Sequence, residues 1–193
     1  ERLKLPDLSR RQILTGAAIG GGLLVAWNLW PRTYRAPLEP GEDEYGFGAW
    51  LTIAEDSVVT VAVPQLEMGQ GVSTILPQIV AHEMGASWRQ VALAPVPPNG
   101  AQANIPLAAK WAPLWATFPS LADESDDYLA ARFAREEGFS ATADGTCLQA
   151  YEEQCRIAGA SARAMLALAA AENWGVQWEE CAVADGFVVH GDK

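Results

Sequence analysis

The chain has 193 residues, half of them hydrophobic and 19% charged, which is typical of a folded domain and excludes a disordered tail. Its formal net charge of −11 argues against a nucleic-acid partner, because surfaces that bind nucleic acids are basic. The three cysteines show no CxxC spacing, so they predict neither a disulfide framework nor a zinc site. They are also too few to ligate an iron–sulfur cluster, which needs four thiolates.

The first thirty residues have the layout of an export signal. Four basic residues precede position 13, and residues 13–30 form a run without charge. The pair Arg10–Arg11 stands in the segment 9–14, which is close to the twin-arginine pattern S-R-R-x-F-L. An eighteen-residue helix extends about 27 Å, enough to cross the hydrocarbon core of a bilayer.

No small-x-small cleavage site follows the apolar run. The sequence therefore predicts an uncleaved twin-arginine helix over residues 1–30 that anchors a periplasmic protein to the inner membrane. The alternative is an ordinary basic signal anchor in which the arginine pair occurs by chance. Residues 31–47 contain Pro31, Pro37, Pro40 and Gly41, and they predict an irregular tether that leads to a domain over residues 48–193.

The domain opens with two runs of strand-forming residues, 49–53 and 58–63, which predict a β-hairpin. Apolar residues then recur at helical spacing. They predict a helix that starts with Ser73 or Thr74 as its cap and ends near Gly85.

The second half of the domain alternates irregular and helical patterns. A short strand is predicted over 91–93, and the six prolines of residues 94–120 predict an extended, packed loop. Residues 121–137 favour a helix, residues 147–173 predict a long one, and residues 182–190 predict a closing hairpin. We therefore expect an α+β domain in which short hairpins pack with two or three helices.

The loop from Glu67 to Gly71 carries the clearest chemical pattern. Gly69 and Gly71 flank the polar Gln70 between a strand and a helix start. There, backbone N–H groups and the helix N-terminus can approach an anion or an oxo ligand closely. Taken alone, the pattern fits an ordinary strand-to-helix turn equally well.

The surrounding sequence adds specificity to this loop. The run VAVPQLEMGQGVSTILPQIVAHEMGASWRQVAL, residues 61–93, resembles the molybdopterin-binding subunits of the xanthine dehydrogenase and aldehyde oxidase family. It is nearest the isoquinoline 1-oxidoreductase beta-subunit type. The GAWLTI strand at 48–53 and the AGASARAML helix at 158–166 also resemble that type, so the resemblance covers essentially the whole chain.

The resemblance implies a molybdopterin-type molybdenum cofactor. It implies that Gln70 is a catalytic residue that hydrogen-bonds an oxygen ligand of the molybdenum, with no protein ligand to the metal from this chain. The cofactor contacts that it implies are Gly69, Gln70, Gly71, Thr142 and Gly145.

One segment departs from the family pattern. Where the family has T-G-G-S, this chain reads Thr142-Ala143-Asp144-Gly145. The two lost glycines and the added carboxylate would hinder the approach of an anionic pterin phosphate and repel it. We therefore expect either a reshaped loop or a segment that no longer contacts the cofactor.

The resemblance also implies a larger assembly. Family members are several times longer, and their catalytic glutamate and much of the pterin pocket lie near the far C-terminus, so this chain is expected to supply one wall of an active site. The family oxidises aldehydes or N-heterocycles. The implied partners are the remaining molybdopterin-binding portion, an iron–sulfur subunit, and a c-type cytochrome or membrane electron acceptor. The alternative is a non-catalytic, membrane-anchored structural subunit that keeps the fold without cofactor.

Three other patterns predict no chemistry. His82-Glu83 suggests a zinc-binding HExxH helix, but position 86 is alanine. The acidic run 123–127 is typical of a solvated helix start, and His190 is a lone histidine near a terminus.

Overall fold

The computed structural model describes residues 32–191, and the chain from Tyr34 onward forms one compact unit. The predicted anchor helix over residues 1–30 lies outside the described residues and stays a prediction. Within residues 32–191, no helix combines the length and the apolar character needed to span a membrane.

A four-stranded mixed sheet forms one layer of the unit. In spatial order its strands are β1 (Glu44–Phe47), β2 (Leu51–Ala54), β3 (Val59–Val63) and β4 (Val91–Pro95). The β1–β2 and β2–β3 pairs are antiparallel, and β3–β4 is parallel. The hairpin predicted over 49–53 and 58–63 is confirmed as β2–β3, and the strand predicted at 91–93 is confirmed as β4.

The prediction that residues 31–47 contain no regular element is wrong at their C-terminal end. Residues Glu44–Phe47 form β1, which pairs with the outer edge of β2 in the register Tyr45↔Ile53. The last proline of this segment, Pro40, precedes the strand, so no ladder N–H is missing from β1.

Five α-helices lie within the described residues, two more than the upper number predicted from sequence. They are α1 (Val72–Met84), α2 (Ile105–Lys110), α3 (Ala112–Trp115), α4 (Tyr128–Glu136) and α5 (Cys147–Trp174). The long helix predicted over 147–173 is confirmed as α5, which stops at Gly175 in the left-handed conformation. The closing hairpin is confirmed by the strands β5 (Ala182–Ala184) and β6 (Phe187–Val189).

The two extra helices, α2 and α3, lie in the segment 94–120 that was predicted to be entirely extended, and that prediction is wrong. Both helices carry their proline in the first turn, where a missing N–H costs no intrahelical hydrogen bond. The side chain of Asn104 caps α2 by accepting a hydrogen bond from the N–H of Leu107 at 3.1 Å. The prolines thus start helices here instead of preventing them.

The main core lies between the sheet and the helices α1 and α5. Leu51, Val61, Leu76 and Tyr151 are essentially inaccessible to solvent, and the Tyr151 ring meets Trp50 edge-on. A further tight contact joins α1 to α5. A Cβ placed on Gly159 of α5 would lie 2.6 Å from the carbonyl oxygen of Val80 in α1, so only glycine fits there. This packing fixes α1 and α5 against each other.

Candidate functional site

The predicted loop lies at the carboxyl end of the parallel strand pair. Strands β3 and β4 end at Val63 and Pro95, which are partners in the register, and Glu67–Gly71 connects β3 to α1. In open α/β sheets, ligands bind outside the carboxyl ends of parallel strands, where helix N-termini also converge. The loop therefore occupies a favourable position for a binding site.

Glu67 organises this loop through its own carboxylate. One carboxylate oxygen, Oε1, accepts hydrogen bonds from the N–H groups of Gly69 at 2.8 Å and Gly71 at 2.9 Å. The other oxygen accepts from the N–H of Ser73 at 3.0 Å. The prediction that Ser73 or Thr74 caps this helix is wrong. Helix α1 begins at Val72, and its N-cap residue is Gly71, which has no side chain to cap it. The carboxylate of Glu67, five residues before Val72, instead accepts the hydrogen bond from Ser73 in the first turn.

These hydrogen bonds act on the ionisation of Glu67. The N–H groups of Ser73 and Gly71 hold the pKa of Glu67 below its ordinary value of 4.5, because they bind the charged form. A lowered pKa in the folded state stabilises the fold above the ordinary pKa, and this contribution is lost as the pH falls through the lowered value. At neutral pH the carboxylate is charged and the loop is closed around it.

Gln70 is exposed, and both ends of its amide bond the same loop. Its Oε1 accepts from the N–H of Met68 at 2.6 Å, and its Nε2 donates to the carbonyl oxygen of Leu66 at 2.8 Å. Gln70 also faces the first residue of α5. Burial raises the pKa of the Cys147 thiol, and a hydrogen bond from Gln70 acts in the opposite direction. The amide is thus held in one orientation near the N-terminus of α5.

Gly69 and Gly71 have φ angles of 95° and 79°, a left-handed conformation that favours glycine. A Cβ on either residue would meet nothing within 4 Å. The glycines are therefore required by the backbone, and the space beside them is open. The N–H groups of Gly69, Gly71 and Ser73 already have an acceptor in Glu67, so the structure does not support the predicted approach of these groups to an anion or an oxo ligand.

The second predicted segment, Thr142–Gly145, lies directly beside the first. The N–H of Leu66 donates to the hydroxyl oxygen of Thr142 at 3.2 Å, and Nε2 of Gln65 donates to the carbonyl oxygen of Ala141 at 3.0 Å. Residues 76 positions apart are thereby joined. The structure brings together the two segments that the sequence had singled out separately.

The carboxylate of Asp144, the residue that departs from the family pattern, is paired within the chain. It accepts a hydrogen bond from Nε1 of Trp111 at 3.1 Å and forms an ion pair with Lys110 at 3.3 Å. Both contacts, Trp111 first, lower its pKa. Asp144 adopts φ 55° and Gly145 φ 68°, and the Asp144 carboxylate binds α2 and the residue after it.

Two buried polar residues of this region were missed by the sequence analysis. Asn104 donates to the carbonyl oxygen of Ala141 at 3.0 Å and to the hydroxyl of Thr146 at 2.9 Å. It thereby holds both ends of the Thr142–Gly145 segment. Gln65 is buried, and its Oε1 has no hydrogen-bond partner among residues 32–191. The Asn-Ile-Pro order at 104–106 was a recognisable helix start, but no local signal marked Gln65.

An open cleft of about 760 Å³ adjoins these loops. Its walls are the ends of β3 and β4 and the segment 137–142, and most of its surface is apolar. Its lining includes Leu66, Leu93, Val96, Phe139 and Thr142. Within the described part of the chain, no three His, Cys, Asp or Glu side chains form a metal-binding group. His82 is exposed on α1, and Glu83 pairs with Arg156 of α5.

Sequence comparison relates the chain to oxidoreductases. No family model matches the chain. Over 141 residues, 73% of this chain, it is 30% identical to the isoquinoline 1-oxidoreductase subunit beta of Brevundimonas diminuta. The family resemblance is confirmed. The chain spans only 14% of the length of that relative.

A second relative is a membrane-bound aldehyde dehydrogenase of Gluconacetobacter polyoxogenes, whose name includes pyrroloquinoline-quinone. It is 33% identical over 94 residues, which are 47% of this chain and 12% of the relative. Both relatives are oxidoreductases by name, and both are much longer than the matched segment.

Proposed function

We propose that this chain is part of a molybdenum hydroxylase complex that oxidises aldehydes or N-heterocycles, with the Glu67–Gly71 loop as one wall of its active site. The observation that carries the proposal is the hydrogen bond between Leu66 and Thr142, which joins both predicted site segments at the carboxyl end of the parallel strands. The names of the two relatives, one an aldehyde dehydrogenase and one an isoquinoline oxidoreductase, support the reaction class.

Each site residue has a separate role in this proposal. When bound, the molybdopterin cofactor supplies the oxygen transfer and takes up the electrons. Gln70 orients a hydrogen bond toward an oxygen atom at the reacting centre, because its amide is already held by Met68 and Leu66. Gly69 and Gly71 leave room for that approach, and Thr142 and Gly145 would also contact the cofactor.

The proposal includes partners that lie outside this chain. The remaining molybdopterin-binding portion completes the pocket, and a separate subunit carries the iron–sulfur clusters. Electrons then leave through a c-type cytochrome or a membrane acceptor. We place the complex in the periplasm, held at the inner membrane by residues 1–30.

Two observations favour other candidates. The name of the second relative favours a quinone cofactor in place of molybdopterin. Asp144, which replaces a glycine of the family pattern, favours a structural subunit without cofactor. The retention of the family's glutamine, Gln70, with both loop glycines opposes the second candidate.

The native complex decides among the three candidates. We expect metal analysis, pterin fluorescence after oxidation and mass spectrometry to find molybdenum and pterin in amounts equal to this chain. Pyrroloquinoline quinone in that amount would show the quinone candidate to be correct. A purified complex that holds neither cofactor would identify a structural subunit.

The proposed localisation makes a separate prediction. Replacing the pair Arg10–Arg11 with two lysines should abolish export, because twin-arginine receptors read the guanidinium groups and not the charge alone. The measurement is the amount of the chain in the periplasmic and membrane fractions, with Arg2→Lys as the control outside the pair. Normal export of the double variant would identify an ordinary secretory anchor.

A further inference from the structure

Glu67 is exposed, yet its carboxylate accepts several backbone hydrogen bonds. There are three of these bonds, of 2.8 to 3.0 Å, and their donors are residues that follow Glu67. Two of these donors, Gly69 and Gly71, are the immediate chain neighbours of Gln70. Charge-assisted hydrogen bonds of this kind are about twice as strong as neutral ones.

We propose that Glu67 is a positioning residue that fixes the backbone on both sides of Gln70 and so aims its amide at the reacting centre. This inference rests on the proposed function of Gln70.

The geometry gives the reason. A single oxygen of Glu67 bridges the N–H groups of Gly69 and Gly71, so the peptide group before Gly69 and the peptide group after Gln70 are drawn to the same point. The second oxygen of Glu67 accepts a hydrogen bond from the N–H of Ser73 in the first turn of α1. The loop is thereby coupled to a helix that packs in the core, although its own side chains are exposed.

The loop has a second set of hydrogen bonds on the side of Gln70. The amide of Gln70 bonds Met68 and Leu66, which lie on either side of Glu67 in the chain. Each of the two side chains thus holds backbone groups next to the other. If the Glu67 bonds are lost, the backbone at Gly69 and Gly71 loses two restraints, and glycine has wide conformational freedom there.

The chemistry of the carboxylate distinguishes the possible replacements. A glutamine at position 67 keeps one acceptor oxygen, but its NH₂ group would face an N–H donor of the loop. An aspartate keeps both acceptors on a side chain one carbon shorter. Glu67→Gln should therefore release the loop, and Glu67→Asp should retain part of the restraint.

The test uses the complete complex with Glu67→Gln, Glu67→Asp and the control Glu137→Gln, which removes a carboxylate that lines the same cleft. Hydrogen exchange, read at single residues by mass spectrometry, reports on the amides of Gly69, Gly71 and Ser73. In Glu67→Gln we expect these amides to exchange at least about tenfold faster, while amides in the middle of α1 stay unchanged. Glu67→Asp should lie between this variant and the wild type, and Glu137→Gln should match the wild type.

Turnover per molybdenum is measured on the same samples. We expect kcat to fall in Glu67→Gln, to recover in part in Glu67→Asp, and KM and molybdenum content to stay close to wild type. Unchanged exchange of the three amides would overturn the inference. So would faster exchange with unchanged kcat, since Glu67 would then hold the loop without positioning Gln70.

The failure of the proposed function has a different signature. A complex that contains no molybdenum would overturn that function. The Glu67 hydrogen bonds lie within this chain, so the comparison of exchange rates among the variants would still decide whether Glu67 holds the loop.

Discussion

Replacing Gln70 with alanine in the complete enzyme should lower turnover per molybdenum by about a hundredfold to a thousandfold, the usual effect of removing a preorganised hydrogen-bond donor. Folding and cofactor content should change little. The groups that lose their partner, the N–H of Met68 and the carbonyl oxygen of Leu66, belong to an exposed loop where water can replace the amide. The measurement is kcat per molybdenum, with the thermal unfolding midpoint recorded beside it.

Two further variants sharpen this experiment. Gln78→Ala removes an exposed glutamine from the middle of α1 and should leave turnover unchanged. Gln70→Glu keeps the size of the side chain but removes the donor, so it should resemble Gln70→Ala. Wild-type turnover per molybdenum in Gln70→Ala would exclude this residue from the active site. Equal losses of turnover, stability and molybdenum content would instead indicate a structural glutamine.

The second large effect is expected from Gly159→Ala in α5. An added methyl group in a helix interior usually stabilises the helix by up to about 1 kcal/mol relative to glycine. Here the new Cβ would lie 2.6 Å from the carbonyl oxygen of Val80 and 3.0 Å from Cβ of Glu83. Because the close atom belongs to the backbone of α1, the helices must separate, and we expect a net loss of about 1–3 kcal/mol in the free energy of unfolding.

Thermal and denaturant unfolding of the purified chain measure this change. The matched control is Ser161→Ala, two residues along the same helix and exposed, which should be neutral or slightly stabilising. An unchanged or higher stability in Gly159→Ala would mean that α1 and α5 can separate without cost at this contact.

The elements that could be predicted from sequence are those whose signal is local. Strand pattern gave the β2–β3 hairpin, and helical spacing with a terminal glycine gave α1 and α5 almost to the residue. Strand β1 was missed because its neighbours contain prolines, and its pairing depends on the free edge of β2. The helices α2 and α3 were missed because proline was interpreted as a breaker, whereas it stands in the first helical turn.

The candidate site also contains parts with a local sequence signal and parts without one. The Glu67–Gly71 loop was recognised because it follows a family motif, and the Thr142–Gly145 segment because it stands where the family has T-G-G-S. Their contact through Leu66 and Thr142 crosses 76 positions, and the contact of Asp144 with Trp111 crosses 33. Such pairings follow from the packing of the sheet and helices and leave no trace in local sequence. The role of Glu67 was missed for a different reason, since a carboxylate is an uncommon cap at this distance from a helix start.

The glycine contact between α1 and α5 also bears on the accuracy of the site. At 1.5 Å per residue, Val80 lies about 12 Å along α1 from Val72, and Gly159 lies about 18 Å along α5 from Cys147. The contact helps to set the crossing angle of α1 and α5, and the Glu67–Gly71 and Thr142–Gly145 loops lie at the N-terminal ends of these two helices. A change of a few degrees in the crossing angle moves one loop by about 1 Å relative to the other. In enzymes, a misplacement of about 1 Å can lower the rate about a hundredfold. Substitutions at this remote contact would therefore lower the catalytic rate before they unfold the protein.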